Sequence, residues 1–177
     1  MTYKNVILVD KNDHAIGVEE KLKAHEQGLL HRAFSIFIYK KTDHGIEFLL
    51  QQRAEEKYHC AGLWTNTCCS HPQNKDDALP CAMNRLNFEM GIQNTPLTYI
   101  DKFLYKAVCK GGITEHEMDH IFIGEFNKAS FTVNADEVKN IRWITIEGLE
   151  NELLKCPDMF TPWLDHVLQL VKKHINT

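Results

Sequence analysis

The chain has 177 residues, a length that one domain accounts for and that supports a hydrophobic core without disulfides. Hydrophobic residues make up 44% of it and charged residues 25%, the proportions of an ordinary globular protein. It has 20 lysines and arginines and 24 aspartates and glutamates, which gives a net charge of −4. The chain therefore lacks the excess of basic residues that would indicate a nucleic-acid partner.

No apolar stretch reaches the length of a signal-peptide core or a membrane span, so we expect a cytoplasmic protein without a membrane partner. The six cysteines are then expected to be reduced thiols rather than disulfides. Ten histidines are many for this length, and only their clustering could indicate a metal site.

Three runs in the first third of the chain are apolar or rich in aromatic and β-branched residues, which predicts strands. They are residues 3–10, 31–40 and 46–53. Between the first two strands, residues 11–17 predict a turn, and the polar residues 18–28 are permissive for a helix that ends at Gly28. The sequence KTDHG at residues 41–45 predicts the hairpin turn that joins the second and third strands.

A helical period replaces this pattern from Asp76 to Met90, where apolar residues recur at spacings typical of one helix face. These residues are Ala78, Leu79, Ala82, Leu86 and Met90. Pro80 is compatible with a helix only near its start, and Gly91 is a natural stop after its end.

Three more strands and two more helices are predicted in the remainder of the chain. The strands are residues 97–109, 117–126 and 138–147, and the helices are residues 148–156 and 161–175. Thr161 is the expected N-cap of the last helix, with Pro162 at its first position. This mixed order, without repeats or linkers, predicts a single α+β domain over residues 1–177, in which a largely antiparallel sheet is flanked by helices.

Two thiols and an imidazole lie close together in the segment WTNTCCSHP at residues 64–72. If the segment is extended, Cys68 and Cys69 point to opposite faces, and Cys69 and His71 share one face. A disulfide between neighbouring cysteines has poor geometry, and the CxxC spacing of zinc sites is absent. Taken alone, the segment is best explained by one buried thiol and a surface histidine.

Two further polar pairs are ambiguous when each is taken alone. His25 and His31 flank a predicted helix end and strand start, and they could be unrelated polar residues. Glu115 and Glu117 would share one face of a strand, where two carboxylates repel each other unless a cation or a proton lies between them. An exposed strand edge or turn is the alternative for this second pair.

Cationic residues could form an anion site. Lys21, Arg53 and Lys57 could together bind a diphosphate, with arginine giving bidentate contacts, or they could form a solvated basic surface. Arg85 and Glu89 are spaced to share one helix face, as in many surface ion pairs of small energetic effect.

Taken in order, these motifs resemble one family. The segments LLQQR and WTNTCCSHP, the helix that ends in EMGI, and the later YKAV and GGITEHE are similar to those of type 1 isopentenyl-diphosphate Δ-isomerase. That family belongs to the Nudix superfamily by fold, and the match runs from about Lys21 to Trp163. The resemblance implies a Nudix-like mixed sheet and the conversion of isopentenyl diphosphate to dimethylallyl diphosphate in isoprenoid biosynthesis.

The hydrolase pattern of the Nudix superfamily is only partly kept. Ser70 replaces its first glycine, Asp76 its first glutamate and Phe88 a later one, while Asn84 and Arg85 stand in place of its Arg-Glu pair. Because hydrolysis needs clustered carboxylates to hold the metals that activate water, the resemblance implies a protein that holds a diphosphate without cutting it.

The family's binding residues carry over to matching positions. The implied ligands of one divalent ion, Zn²⁺, Mn²⁺ or Mg²⁺, are three imidazoles and two carboxylates: His25, His31, His71, Glu115 and Glu117. Glu89 would contact a second ion, Mg²⁺, bound through the substrate diphosphate. Lys21, Arg53, Lys57 and Arg85 would hold the diphosphate oxygens. The implied partner is isopentenyl diphosphate, and we expect a monomer or weak homodimer.

The implied catalytic residues exchange protons on opposite faces of the substrate, through a carbocation-like intermediate. Glu117 with Tyr105 would add a proton to the alkene, and Cys69 would remove one, because a free thiol is accessible both as thiol and as thiolate near neutral pH. Which of Cys69 and Glu117 is the acid in the forward direction stays open from the sequence. Trp163 would exclude water and stabilise the cation, with Trp64 as a weaker candidate.

Two other functions stay open from the sequence. A Nudix diphosphohydrolase is the alternative enzyme, and the depleted carboxylate pattern argues against it. A zinc-binding interaction module is the non-enzyme alternative, and it predicts Cys68 or Cys69 as a thiolate ligand without turnover.

Overall fold

The computed structural model describes residues 4–43, 45–57, 59–73, 77–127 and 130–175. Its nine strands are β1 (Asn5–Val9), β2 (Ala15–Glu20), β3 (His31–Thr42), β4 (Gly45–Arg53), β5 (Trp64–Thr65), β6 (Cys68–Ser70), β7 (Thr98–Val108), β8 (Thr114–Glu125) and β9 (Val138–Thr145). Its four α-helices are α1 (Lys21–Glu26), α2 (Ala78–Met90), α3 (Ile146–Lys155) and α4 (Leu164–Ile175).

The strands form one mixed sheet around β3. Strand β3 runs parallel to β8, and every other pairing among the described strands is antiparallel, which confirms the predicted α+β class with a largely antiparallel sheet. One buried cluster packs α2 against the sheet, and a second packs α4 and part of α3 against it. No helix in the described ranges combines the length and apolar character that a membrane crossing needs.

Helix α2 begins and ends where local chemistry predicts. The Asp77 side chain accepts a hydrogen bond from the Leu79 amide, and Pro80 lies in the first turn, where its missing N–H is tolerated. Gly91 has a φ of +66°, and a Cβ there would collide with the carbonyl oxygen of Thr132. The predicted stop is therefore confirmed, and the close backbone approach adds a second reason for glycine.

The other predicted helix boundaries need correction. Residues 18–20 belong to β2, and α1 begins only at Lys21, because the Glu20 carboxylate caps the Leu22 and Lys23 amides. Helix α3 begins at Ile146, two residues before the predicted start. Asp76, predicted to start the central helix, lies outside the described residues.

Thr161 was predicted to cap the last helix, and this is wrong. Helix α4 begins at Leu164, while the Thr161 hydroxyl donates to Thr65 Oγ1 at 2.9 Å. Thr161 is buried, so its hydroxyl has a tertiary partner and does not cap the helix. Pro162 lies in the turn that precedes the helix.

Strand register brings several polar residues together. His31 at the start of β3 is directly opposite Glu117 of β8, and Tyr105 of β7 is opposite Glu117 on its other side. Farther along β3, Ser35 is paired with Cys69 of β6. Residues that are far apart in sequence therefore meet at one end of the sheet.

Candidate active site

Five side chains form a compact group of metal-ligating atoms. One atom from each lies within 4.8 Å of all the others, and four of the residues are buried while the His71 side chain is 12% exposed: His25, His31, His71, Glu115 and Glu117. For comparison, the ligand atoms of an octahedral ion bound at about 2.1–2.2 Å are at most about 4.4 Å apart. The five residues predicted to share an ion are thus close to the spacing that an ion requires.

Backbone contacts orient two of these imidazoles. The Nδ1–H of His25 donates to the carbonyl of Lys21 at 2.6 Å, and that of His31 donates to the carbonyl of Leu29 at 2.8 Å. This tautomer leaves Nε2 of each ring as the atom that faces the group, as is common for histidines that bind metals. His31 Nε2 is buried and makes no hydrogen bond in the described part of the chain, and Glu117 Oε1 lies 3.5 Å from it.

The carboxylates complete a donor set that fits a divalent cation. His25 Nε2 lies 3.2 Å from a Glu115 oxygen, and His71 Nε2 lies 3.0 Å from a Glu117 oxygen. Burial lowers the pKa of His71 to about 4, so its ring is neutral near pH 7, as metal binding requires. Three imidazoles and two carboxylates could therefore hold a divalent ion here.

Glu117 also contacts a phenol. The Tyr105 hydroxyl donates to Glu117 Oε2 at 2.5 Å, and Tyr105 is buried. Burial, followed by the Glu117 charge, raises the pKa of Tyr105 well above its usual range. Burial alone would raise the pKa of Glu117, but the contacts with His31 and His71 outweigh it and lower that pKa. The pair is therefore a phenol hydrogen-bonded to a carboxylate.

The two neighbouring cysteines separate as predicted. Cys68 is fully buried in the core cluster that packs against α2, whereas Cys69 lines a pocket together with Ser70, His71 and Glu117. The side chains take opposite faces because β6 is extended.

The Cys69 thiol is held by three polar neighbours. It donates to Asn66 Oδ1 at 2.9 Å, and the hydroxyls of Thr65 and Ser35 lie 3.7 and 3.8 Å from the sulfur. Burial, followed by the charge of Asp119, raises the pKa of Cys69 to about 12. The thiol is therefore protonated near neutral pH.

This raised pKa predicts slow alkylation of Cys69. Because only the thiolate reacts, the rate with iodoacetamide should keep rising with pH beyond the range in which an ordinary thiol, of pKa about 8.5, levels off. Peptide mapping after timed alkylation measures the rate, and the exposed Cys156 in the same sample is the internal control. A plateau for Cys69 near pH 8–9, about the ordinary thiol value, would contradict the raised pKa.

Cations and an indole line the same pocket as Cys69. They are Lys21, Arg53, Lys57, Arg85 and Trp163. Glu137 contacts two of these cations, since it pairs with Lys57 and lies 2.9 Å from Arg85 Nη2. Burial, followed by the charges of Lys57 and Arg85, lowers the pKa of Lys21. The pocket is therefore electropositive on one side.

Trp163 is a fixed part of this pocket. It is 3% exposed, and its indole N–H donates to Asn66 Oδ1 at 3.2 Å. The same amide oxygen accepts from Cys69, so Asn66 sets the position of both groups. Trp64, the weaker candidate, lies elsewhere: its ring contacts the Arg142 guanidinium at 4.4 Å. Trp64 is not among the described residues that line the pocket.

Glu89 lies apart from the group of five ligands. Its buried carboxylate accepts from Arg85 Nε at 2.6 Å and from Gln51 Nε2 at 3.1 Å. One carboxylate together with substrate phosphates and water is a usual environment for Mg²⁺. Glu89 is not among the described residues that line the pocket, and it reaches that pocket through Arg85, which does line it.

Comparisons with known proteins agree on the family. The family model described as the NUDIX domain matches residues 29–164. The isopentenyl-diphosphate Delta-isomerase of Photobacterium profundum is 43% identical over 98% of this chain and 97% of its own length. The protein of the same name from Aliivibrio fischeri is 44% identical over 97% and 96%.

The chain belongs to the isopentenyl-diphosphate Δ-isomerase family of the Nudix superfamily. Solved structures confirm the Nudix fold at low identity. A protein from Deinococcus radiodurans has a TM-score of 0.74 at 12% identity and covers 93% of this chain and 97% of its own. The NUDIX domain of NrtR from Shewanella oneidensis has a TM-score of 0.61 at 11% identity and covers 82% and 87%.

Several site residues of this isomerase-family chain were not identified from its sequence. They are Ser35, His59, Asn66, Asp119 and Glu137. Asp119 could have been found, because it continues the alternation of Glu115 and Glu117 on one face of β8. His59 and Glu137 lie in loops, where no periodic pattern indicates which way a side chain points.

Proposed function

We propose that the protein converts isopentenyl diphosphate to its double-bond isomer dimethylallyl diphosphate. One observation carries the proposal: a thiol, Cys69, and a phenol-linked carboxylate, Glu117, line one pocket together with cations and with two more of the five ligands, His71 and Glu115. Moving a double bond needs one group that adds a proton to carbon and one that removes a proton, and a diphosphate needs cations.

The diphosphate would be bound by Lys21, Arg53, Lys57 and Arg85, and Glu89 would help to hold a Mg²⁺ ion that offsets the diphosphate charge. Arginine gives bidentate contacts to phosphate, and lysine gives a point charge. Glu137 contacts Lys57 and Arg85, which holds both cations at the edge of the pocket that they line.

The ligand group supports the same chemistry. His25, His31, His71, Glu115 and Glu117 would hold one divalent ion, for which Zn²⁺, Mn²⁺ and Mg²⁺ are all compatible with the donor set. When bound, the ion would supply positive charge that fixes the Glu117 carboxylate and offsets its repulsion by Glu115.

The general strengths of a carboxylic acid and a thiol favour one order for the proton exchange. Protonating an isolated alkene creates a tertiary carbocation, so the strongest acid in the pocket is needed. A thiol whose pKa is about 12 is a weaker acid than a carboxylic acid. We therefore assign proton addition to Glu117 with Tyr105 and proton removal to Cys69. This order requires Glu117 to carry the proton and Cys69 to be a thiolate, which is the reverse of the protonated thiol and the carboxylate described above.

The carbocation must be kept from water. Trp163 is buried beside Cys69 and offers an indole face, and a cation over such a face gains roughly 2 kcal/mol or more when it is desolvated. Its hydrogen bond to Asn66 holds the ring in place, so the ring can shield the cation without reorganising.

Product analysis tests the proposal. With isopentenyl diphosphate and Mg²⁺, the protein should form dimethylallyl diphosphate and release neither phosphate nor pyrophosphate. Chromatography of the products, together with a colorimetric phosphate assay, separates these outcomes. Release of phosphate or pyrophosphate without the isomer would favour the hydrolase activity that Asn84 and Phe88 argue against.

Lys57→Met is expected to raise KM for isopentenyl diphosphate by about 10–100-fold and to change kcat much less. A charged hydrogen bond contributes roughly 1.5–3 kcal/mol, and a contact made equally before and during reaction affects binding alone. Lys139→Met is the matched control, because Lys139 pairs with the exposed Glu55. Steady-state kinetics measure both, and an equal rise in KM for the two variants would contradict the role of Lys57.

A further inference from the structure

His59 lies against the ligand group without belonging to it. Its Nε2 is 2.5 Å from Glu115 Oε1, and its side chain is 9% exposed. The other Glu115 oxygen, Oε2, lies 3.2 Å from His25 Nε2. The Glu115 carboxylate therefore has one oxygen toward a ligand histidine and the other toward His59.

The group of five closely spaced ligand atoms does not include His59. The centroids of the His59 and His25 rings are 5.6 Å apart. The two imidazoles contact different oxygens of Glu115, so His59 is next to the ligand group without being part of it. Carboxylates that bind metals are commonly held by a hydrogen bond to their second oxygen, which fixes their orientation. His59 Nε2 lies 2.5 Å from Glu115 Oε1, so its N–H can donate the hydrogen bond that fixes the orientation of this carboxylate.

The backbone of His59 is fixed by a different residue. Arg53 Nη2 donates to the His59 carbonyl at 3.1 Å, and the Arg53 backbone makes hydrogen bonds with Gly62 and Leu63. The loop that carries His59 is thus tied to Arg53, which lines the proposed diphosphate side of the pocket. A substitution of His59 removes its ring but keeps its backbone carbonyl, which accepts from Arg53. The contact with Arg53 is therefore retained, and a change in metal binding reports on the ring.

We infer that His59 is a positioning residue: its ring holds Glu115 in the orientation that binds the divalent ion. The inference rests on the proposed ion at the group of five, and it extends that proposal to a residue outside the group. It predicts that removing the ring weakens binding of the ion, and that a side chain which keeps an N–H donor at the same reach preserves binding. Glutamine is such a side chain, because its amide nitrogen can take the place of Nε2.

Binding of Mn²⁺ alone tests the inference without any assay of activity. Metal-free protein is titrated with Mn²⁺, and the free aqua ion is measured by electron paramagnetic resonance. His59→Ala should raise the dissociation constant by about 10–100-fold, and His59→Gln should stay within a few-fold of the parent. His166→Ala, which removes an exposed imidazole on α4, is the matched control and should not change it. Circular dichroism of each metal-free variant checks that it is folded.

The remaining outcomes would each overturn the inference. Equal affinity of His59→Ala and the parent would mean that the ring does not support the ion. A loss with His59→Gln as large as with His59→Ala would mean that His59 binds the ion directly. If the parent protein binds no Mn²⁺, the proposed ion fails together with the role of His59. Isomerase activity is tested separately, by product analysis.

Discussion

Replacing Cys69 with alanine is expected to lower kcat for isopentenyl diphosphate by about 10²–10⁴-fold, the usual contribution of a positioned acid or base. The expectation follows from its place in the pocket, where the sulfur meets Asn66, Ser35 and Thr65 and shares the cavity with Glu117. Alanine removes the only group at position 69 that can exchange a proton with carbon. Single-turnover measurements would separate this loss from any change in substrate binding.

Cys68→Ala is the matched control for this variant. The same atoms are removed one residue away, but Cys68 points into the core that packs against α2. Its loss should cost about 1 kcal/mol of folding stability, as typical single substitutions do, and leave most of the rate. Equal loss of activity in both variants would overturn the choice of Cys69, and full activity of Cys69→Ala would remove it from the mechanism.

Glu117→Gln is expected to lose both bound metal and rate. The amide keeps the size of the side chain but removes the negative charge and the proton that Glu117 would carry. The loss of ion affinity should exceed the roughly 10–100-fold seen for residues that only orient ligands. Mn²⁺ titration gives the affinity, and kinetics at saturating Mn²⁺ show whether the rate recovers.

Kinetics at saturating Mn²⁺ distinguish two roles of Glu117, as a ligand of the ion and as the acid. If the residue only held the ion, saturating Mn²⁺ would restore most of the rate, and the assignment as the acid would be wrong. Glu125→Gln is the matched control, since Glu125 is on the same strand and pairs with the exposed Lys41. That variant should retain both metal affinity and rate.

The parts of the site that lie on strands could be predicted from the sequence. Alternation predicts that Cys69 shares a face with His71, just after the end of β6, and that Glu115 shares a face with Glu117 on β8, because side chains two residues apart point the same way. The pairing of His31 with Glu117 needed the register of two strands that are far apart in the chain. Local sequence patterns do not specify how two distant strands pair. The grouping of His31 with Glu117 was therefore implied by the family resemblance alone.

Loops and tertiary partners account for the misses. His59 and Glu137 reach the site from loops, where neither alternation nor helical spacing applies. Thr161 has the chemistry of an N-cap, but a buried hydroxyl partner on β5 takes its hydrogen bond, so the helix begins later. In each case a contact distant in sequence decides what a side chain does, and local propensity cannot encode it.

Solvent deuterium gives the most direct test of proton exchange at carbon. The protein is incubated with isopentenyl diphosphate and Mg²⁺ in D₂O, and the products are followed by NMR. Dimethylallyl diphosphate with deuterium in a methyl group is expected, because the added proton comes from a protein group that exchanges with solvent. Dimethylallyl diphosphate formed without deuterium, or no dimethylallyl diphosphate at all, would contradict this expectation.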